Sequence, residues 1–306
     1  MFTQTVSNQV GTLASVELAD AYTDFVLSRQ AMQCTKATME FYKYTACKFL
    51  TWAERKGARN PQQIDAYLVR QYLAGLTELG KADTTLHANA RAIRTLLKFW
   101  HSEGYMEKPV KFAMPRLAKK RLPVLSAEEL KQAIDACQNK RDKAILLFLV
   151  DSGLRRVEAC NLNWKDIDMQ TGLVSVKLGK GRKDRSAVIS PTTRRALLAY
   201  RRTLKSHEEA LFISRTGQRL TGSGMLIVFR RLSKRTGLHI TPHVLRRTFV
   251  ILSLRSGMDV LHLQAMLGHA GLEMVRHYAQ MVDDDLLQAH KAHSPIDNLS
   301  RLKEGR

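Results

Sequence analysis

Two residues near the carboxyl end of the chain, His269 and Tyr278, are of types that can take part in phosphoryl transfer. They stand nine positions apart in the stretch LGHAGLEMVRHYAQ. A tyrosine can act as a nucleophile and form a covalent intermediate, provided that its surroundings favour the ionised phenol. The pair alone is equally typical of helix packing, so its meaning depends on what the rest of the chain supplies.

Two earlier motifs contain arginines beside groups that could orient them. DSGLRRVEAC places Arg155 at the start of a predicted helix, one turn before Glu158, which can pair with it. TPHVLRRTF places His243 and Arg246 three residues apart, so we expect them on one face of a helix. Each motif alone is also typical of a solvated surface.

These residue types match what a side-chain attack on a phosphodiester requires. Charge develops on the nonbridging oxygens in the transition state, and planar guanidinium groups bind such oxygens better than ammonium groups do. The leaving 5′ oxygen needs a proton donor. Candidates are Lys180 and Lys183 in GKGRKD, the tip of a predicted hairpin.

Motifs of other phosphate and hydrolytic chemistries are missing from the sequence. It contains no G-x-x-x-x-G-K-[ST], no H-E-x-x-H, no G-x-S-x-G and no acidic cluster at two-metal spacing. We therefore expect neither a metal site nor a cofactor, ATP included.

The charge balance indicates a polyanionic partner. With 49 Lys and Arg against 28 Asp and Glu, the formal net charge is +21 and the isoelectric point is near 10.1. Nucleic acid is the favoured partner, ahead of an anionic membrane or an acidic protein. The basic residues are spread along the chain, which suits a surface that encloses DNA.

The cellular setting follows from what the sequence lacks. Its four cysteines form no C-x-x-C pair, which is typical of a reducing compartment. The first residues show no signal peptide, and the apolar run AILLFLV is too short to span a bilayer. We expect a soluble cytoplasmic protein without membrane association.

Periodicity and linker composition predict a mainly α fold with a small antiparallel sheet, divided into two domains. We expect residues 1–15 to form a flexible N-terminus, 16–106 a helical domain, 107–123 a basic linker, 124–295 a second domain and 296–306 a tail. The linker has three prolines and six Lys or Arg. Candidate DNA-binding residues lie in the linker and on a basic face of the fourth predicted helix: Lys119, Lys120, Arg121, Arg91, Arg94 and Lys98.

Local signals predict where individual helices begin. Thr35 caps the second helix, Pro61 begins the third, and Ser126 begins a capping box with Glu129. Runs of β-branched residues on either side of GKGRKD predict the two strands.

Taken in order, GLRRVE, GKGRKDR, HVLRRTF, LGHAGLEMVRHY and LLQAHKAHSP resemble the tyrosine recombinase (phage integrase) family, especially its two-domain Xer-like members. The resemblance spans about residues 16–295. It implies a helical, SAM-like core-binding domain and a catalytic domain that together clamp duplex DNA. The implied activity is site-specific recombination through a 3′-phosphotyrosyl intermediate and a Holliday junction, without metal or ATP.

By the same resemblance, Arg155 and Arg246 bind the scissile phosphate, and Glu158 supports the first of these arginines. His243 is the first histidine of the site, which assists proton transfer and phosphate binding. Lys180 is the general acid for the 5′ oxygen.

The remaining positions include one departure from the family pattern. Tyr278 is the nucleophile, His269 donates to a phosphate oxygen, and Lys183 is a weaker candidate for the acid. Arg247 stands where the family often has a histidine, and it is a further candidate for DNA contact.

The resemblance also implies partners and leaves alternatives open. The partners are a double-stranded recombination site, three further copies of the chain in a tetramer on synapsed DNA, and accessory proteins, in the nucleoid of a prokaryotic cell. A helix after Tyr278 could dock on a neighbouring protomer or on its own domain. The alternative functions are a type IB topoisomerase-like enzyme and a non-catalytic DNA-binding regulator.

We predict that DNA binding weakens steeply as salt rises, because Lys and Arg contacts to phosphate release counterions. Affinity should fall by about 10³-fold or more between about 50 mM and 200 mM salt, as for a protein with six or more phosphate contacts. Fluorescence anisotropy with a labelled duplex measures this, and an uncharged osmolyte at matched osmolality is the control. A flat salt response would contradict the expectation.

Overall fold

The computed structural model describes residues 16–117, 122–177, 184–204 and 208–268, together with His290 and Ser294. The chain divides into two compact units, Met1–Lys120 and Arg121–Arg306. The described residues are mainly helical and contain one two-stranded antiparallel sheet, which confirms the predicted fold class. Within these ranges, no helix has both the length and the apolar character needed to cross a membrane.

Helices make up most of unit 1. In chain order they are α1 (Leu18–Ala31), α2 (Lys36–Arg55), α3 (Ala66–Glu78) and α4 (Asp83–Ser102). Thr35 caps α2 as predicted, since its side chain accepts a hydrogen bond from the Thr38 amide at 3.2 Å. The core lies between the helices and includes Phe25, Phe49 and Trp100, each almost fully buried.

The predicted start of the third helix at Pro61 was wrong. Pro61–Gln63 forms a short 3₁₀ turn, Ile64 is extended, and α3 begins only at Ala66. The Asp65 carboxylate accepts a hydrogen bond from the Leu68 amide at 2.8 Å, which satisfies one of the free amides at the helix start. The acidic cap therefore outweighs the proline signal.

The basic face of α4 is exposed, and one of its arginines also holds the segment that follows the helix. Arg91, Arg94 and Lys98 are all exposed, on the side opposite the buried apolar stripe. Arg94 also donates to the Phe112 carbonyl at 2.8 Å and stacks over the Phe112 ring. The side chain of Phe112 is buried in the core of unit 1.

The first part of the sequence-predicted linker thus packs on unit 1. Besides the contacts of Phe112, the His87 ring lies 3.1 Å from the Pro115 carbonyl oxygen. Val110 and Met114 pack against the same core as Phe112. Residues 107–117 are therefore held to α4 through apolar and polar contacts.

Unit 2 contains helices and the two-stranded sheet. Its described helices are α5 (Ala127–Asp135), α6 (Lys140–Ser152), α7 (Arg156–Asn161), α8 (Pro191–Arg201), α9 (Gly222–Thr236), α10 (Pro242–Arg255) and α11 (Val260–Leu267). The strands are β1 (Leu173–Val176) and β2 (Arg185–Val188). Ser126 caps α5 through the predicted capping box.

The core of unit 2 is built on α6, which is buried on most of its surface. Phe148, Tyr200, Phe212 and Phe229 fill this core and are each at most 2% exposed. The strands pair with Leu173 opposite Val188 and Val176 opposite Arg185. This register places Arg185 at the end of the hairpin next to the connection between the strands, which lies outside the described residues.

Gly153 ends α6 in a turn that no other residue fits well. Its φ is +60°, and a Cβ atom there would lie 2.3 Å from Cδ1 of the Phe249 ring. Because left-handed backbone and close approach both favour glycine, the turn depends on this residue. Arg155 follows two positions later.

Replacing Gly153 with Ala should lower the free energy of unfolding by about 1–3 kcal/mol from overpacking, added to about 1–2 kcal/mol of left-handed strain. Gly237→Ala is the matched control, because Gly237 has φ +74° but nothing within 4 Å of an added Cβ. Urea unfolding of both variants measures the difference. Equal losses would show that the contact with Phe249 has no energetic weight.

Candidate active site

Arg155 and Glu158 interact at the start of α7. The Arg155 amide donates to Glu158 Oε2 at 2.7 Å, and Arg155 Nη1 donates to Oε1 at 3.0 Å. Their side chains are 35% and 9% exposed. A carboxylate at this position satisfies a free amide of the first turn and interacts well with the helix dipole. The backbone of Arg155 is therefore fixed, while its guanidinium group remains partly exposed to solvent.

A second arginine reaches the same carboxylate. Arg185, the first residue of β2, donates through Nη2 to Glu158 Oε2 at 2.6 Å, and its side chain is only 7% exposed. Its Nη1 donates to the carbonyl of Met266 in the last turn of α11. Gly268, with φ +78°, follows this turn, and a Cβ there would lie 3.3 Å from Arg185 Cδ.

Arg246 lies on α10 and is 3% exposed. Its Nη1 donates to the Gly153 carbonyl, and its Nη2 donates to the Leu267 carbonyl at 3.0 Å. Thr241 caps the helix, and Pro242 occupies its first turn, where a missing amide has no cost. The predicted helical face thus places His243 one turn before Arg246.

The contacts of these arginines form a closed ring of interactions. We call the set the clamp network: the side chains of Arg155, Glu158, Arg185 and Arg246, with the carbonyls of Gly153, Met266 and Leu267. It runs from Arg155 through Glu158 and Arg185 to the end of α11, then through Arg246 back to the turn before Arg155. Four helices and one strand are joined in this way.

The positive charge of the site acts on His243. Partial burial of its ring lowers the pKa of His243, an otherwise exposed residue, and the charges of Arg247, Arg156, Arg246 and Arg155 lower it further. Its imidazole is therefore mainly neutral at pH 7, since the usual pKa is near 6.5. A neutral ring in a field of guanidinium groups can accept a proton while those groups bind an anion.

Other predicted site residues lie outside the described ranges. Gly268 is the last described residue before His269, and Tyr278 also lies outside the described residues. So do the hairpin-tip lysines and the basic end of the linker: Lys180, Lys183, Lys119, Lys120 and Arg121. The structure brings together Arg155, Glu158, His243 and Arg246.

Sequence reasoning missed two arginines near this site. Arg185 is the last residue of GKGRKDR, and alternation within β2 could have indicated that it points inward. Arg156, whose Nη1 donates to the Gly222 carbonyl at 3.2 Å, adds to the charge that acts on His243. No sequence signal separates Arg156 from an ordinary surface arginine.

Removing the Arg247 charge should raise the pKa of His243 towards its usual value, because Arg247 is the largest of the charge effects on this ring. An NMR titration of the His243 ring in Arg247→Gln measures the change, with Arg230→Gln on α9 as control. Because the pKa of His243 is lower in the folded protein than in the unfolded chain, the unfolded chain binds the proton first as pH falls below about 6.5. The free energy of unfolding should therefore decrease as pH drops from that value towards the pKa of the folded state. No upward shift in Arg247→Gln would contradict this account.

Comparison with known proteins extends these observations. Residues 123–284 match the model of the phage integrase family. The tyrosine recombinase XerA of Pyrococcus horikoshii is 31% identical over 258 residues, which cover 83% of this chain and 87% of XerA. The tyrosine recombinase XerC of Xanthomonas campestris is 28% identical over 272 residues, 86% of this chain and 84% of XerC.

A solved structure is similar in fold. The crystal structure of a lambda integrase dimer bound to a COC′ core site matches with a TM-score of 0.70, over 90% of this chain and 81% of the integrase chain. The sequence identity is 18%. The family match, the XerA similarity and the shared fold agree, and the chain belongs to the phage integrase family of tyrosine recombinases.

Proposed function

We propose that this protein is a site-specific DNA recombinase that cleaves and rejoins DNA through Tyr278. The observation that carries the proposal is the placement of Arg155, Arg246 and His243 around one cationic site in unit 2. Such a site fits a phosphodiester whose negative charge increases in the transition state. The ordered motifs supply the nucleophile and the acid that the site needs.

In the proposed cleavage step, the Tyr278 oxygen attacks phosphorus and forms a Tyr–phosphate bond. The bond from phosphorus to the 5′ oxygen breaks, which leaves a 3′-phosphotyrosyl link and a 5′ hydroxyl. Neutral His243 takes the phenol proton, and Lys180 donates a proton to the 5′ oxygen. Arg155 and Arg246 bind the nonbridging oxygens, and His269 donates to one of them.

Rejoining is the same step in reverse, with the 5′ hydroxyl of another strand as the nucleophile. The covalent link keeps the energy of the phosphodiester, so that neither ATP nor a metal is required. Two rounds of exchange would pass through a Holliday junction. Lys183 lies close to Lys180 in sequence and is the second choice for the acid.

Double-stranded DNA containing a recombination site is the proposed substrate. The solved lambda integrase structure is a dimer bound to a core site, and that complex supports the proposal for a chain of the same fold. Arg247 is a good candidate for a DNA contact, because it is partly exposed on α10 and its charge acts on His243 of the site. Arg94 is a weaker one, since it already donates to Phe112.

Further proposed DNA contacts come from basic side chains in both units: Arg91, Lys98, Lys119, Lys120, Arg121 and Lys183. We also propose that four copies synapse two sites, that the segment after Tyr278 docks on a neighbouring copy, and that accessory proteins set direction. The site of action would be the prokaryotic nucleoid. The relatives named above are recombinases, which favours this function over a topoisomerase or a silent regulator.

The wild-type protein should form a covalent adduct on a nicked suicide site, whose short cleaved fragment diffuses away and prevents rejoining. The site is obtained by purifying bound DNA and mapping the protected sequence. Tyr278→Phe should form no adduct because it lacks the nucleophilic oxygen, and His269→Ala should slow adduct formation by about 10²-fold, as for loss of one oxyanion donor. An SDS-resistant, proteinase-sensitive band measures the adduct.

Two outcomes would reject this proposal. Equal adduct from Tyr278→Phe and wild type would exclude Tyr278 as the nucleophile. Relaxation of supercoiled DNA that lacks the site, at the same rate as DNA with it, would favour a topoisomerase instead.

A further inference from the structure

Arg185 has no part in the proposed reaction, yet it is the most buried charge partner of Glu158. Its side chain is 7% exposed, and its two terminal nitrogens contact different elements, Glu158 of α7 and the Met266 carbonyl of α11. A planar guanidinium group can bind both at fixed angles, which a lysine cannot do. The residue therefore acts as a rigid spacer between α7 and α11.

The need for this ion pair is not explained by stability. Taking two charges out of water costs about as much as their attraction returns, and apolar replacements of similar volume are often no less stable. Burial and the nearby Arg155 charge also lower the pKa of Arg185. A buried arginine kept at such a cost points to a geometric requirement.

That requirement is visible in the clamp network. Arg155 is held by Glu158, and Arg246 is held by the carbonyls of Gly153 and Leu267. Arg185 connects the first of these groups to the second, because Met266 and Leu267 are adjacent in the last turn of α11. Arg185 thus adds a second hydrogen-bonded connection between the two arginines, beside the one through the Gly153 turn.

We propose that Arg185 is a positioning residue that fixes the spacing and orientation of Arg155 and Arg246 on the scissile phosphate. The proposal rests on the proposed function. Arg185 itself need not touch DNA. Its effect on the reaction would come from how well the two guanidinium groups match the phosphate oxygens in the transition state.

The test compares two suicide substrates that differ only at the scissile phosphate. One is the natural phosphodiester, and the other is a methylphosphonate, which is neutral and so demands much less of the arginines. Arg185→Met should slow adduct formation on the phosphodiester by about 10²-fold, as for a small misplacement of reacting groups. On the methylphosphonate, Arg185→Met should slow adduct formation by a clearly smaller factor relative to wild type. The same smaller factor on this substrate is expected for Arg155→Ala.

Arg219→Met is the matched control. Arg219 donates to the Cys160 and Leu162 carbonyls at 3.1 and 2.9 Å, so it supports the other end of α7 without touching the clamp network. A purely structural defect in α7 should slow both substrates by the same factor. If Arg185→Met also slows both equally, the positioning role is wrong.

Folding is controlled by urea unfolding of each variant, since Glu158 keeps its ion pair with Arg155 when Arg185 is replaced. A further variant, Arg185→Lys, keeps the positive charge but not the planar pair of donors. Arg185→Lys should retain a substrate-dependent defect, and wild-type rates for it would overturn the proposal. Adduct formation by the wild-type protein, and its loss in Tyr278→Phe, separates the two proposals. If the wild-type protein forms the adduct, equal slowing of both substrates by Arg185→Met rejects only the role of Arg185. If the wild-type protein forms no adduct, the proposed function and the role of Arg185 both fail.

Discussion

The shared carboxylate of Glu158 is the interaction on which the site depends. Two arginines donate to it, one from the N-cap of α7 and one from β2, and its side chain is 9% exposed. Further guanidinium groups, those of Arg156, Arg246 and Arg247, act on His243 nearby. The charges that lower the pKa of His243 are all positive, so the field at this ring favours an anion. A bound phosphodiester carries the negative charge that such a field attracts, and the field would then contribute to affinity.

Backbone geometry sets where these charges lie. The turn at Gly153 brings the start of α7 beside α10, and it can do so because no Cβ atom collides with Phe249. The end of α11 is bound at two adjacent carbonyls that helix geometry leaves without intrahelical partners. Positioning therefore depends on helix ends, whose backbone polar groups lack intrahelical partners and can bind side chains. Such groups orient arginines more firmly than flexible side chains would.

Sequence patterns predicted the parts of this structure that are local. The cap at Thr35, the capping box at Ser126 and the pairing of Arg155 with Glu158 each involve residues three positions apart. Such contacts follow from helix geometry alone, as does the shared face of His243 and Arg246. The predicted start of α3 was wrong because two local signals competed, and the helix begins after the Asp65 cap and not at Pro61.

The role of Arg185 could not be predicted, since its partners are 27 and 81 residues away in sequence and meet only in the folded chain. Equally, no pattern indicated that residues 107–117, rich in proline and charge, would pack on α4. Prediction from sequence thus reached the fold class and the residue types of the site, but not the long-range contacts that connect them.

The clamp network binds the end of α11 through backbone carbonyls, and this affects how the sequence can vary there. Arg185 and Arg246 bind the carbonyl oxygens of Met266 and Leu267, which every amino acid possesses. The side chains at these two positions are constrained by the apolar residues that they pack against. Related chains can therefore differ at the end of α11 while keeping the same grip. The arginines have less freedom, because a planar guanidinium group holds two acceptors at fixed angles and the ammonium group of a lysine does not.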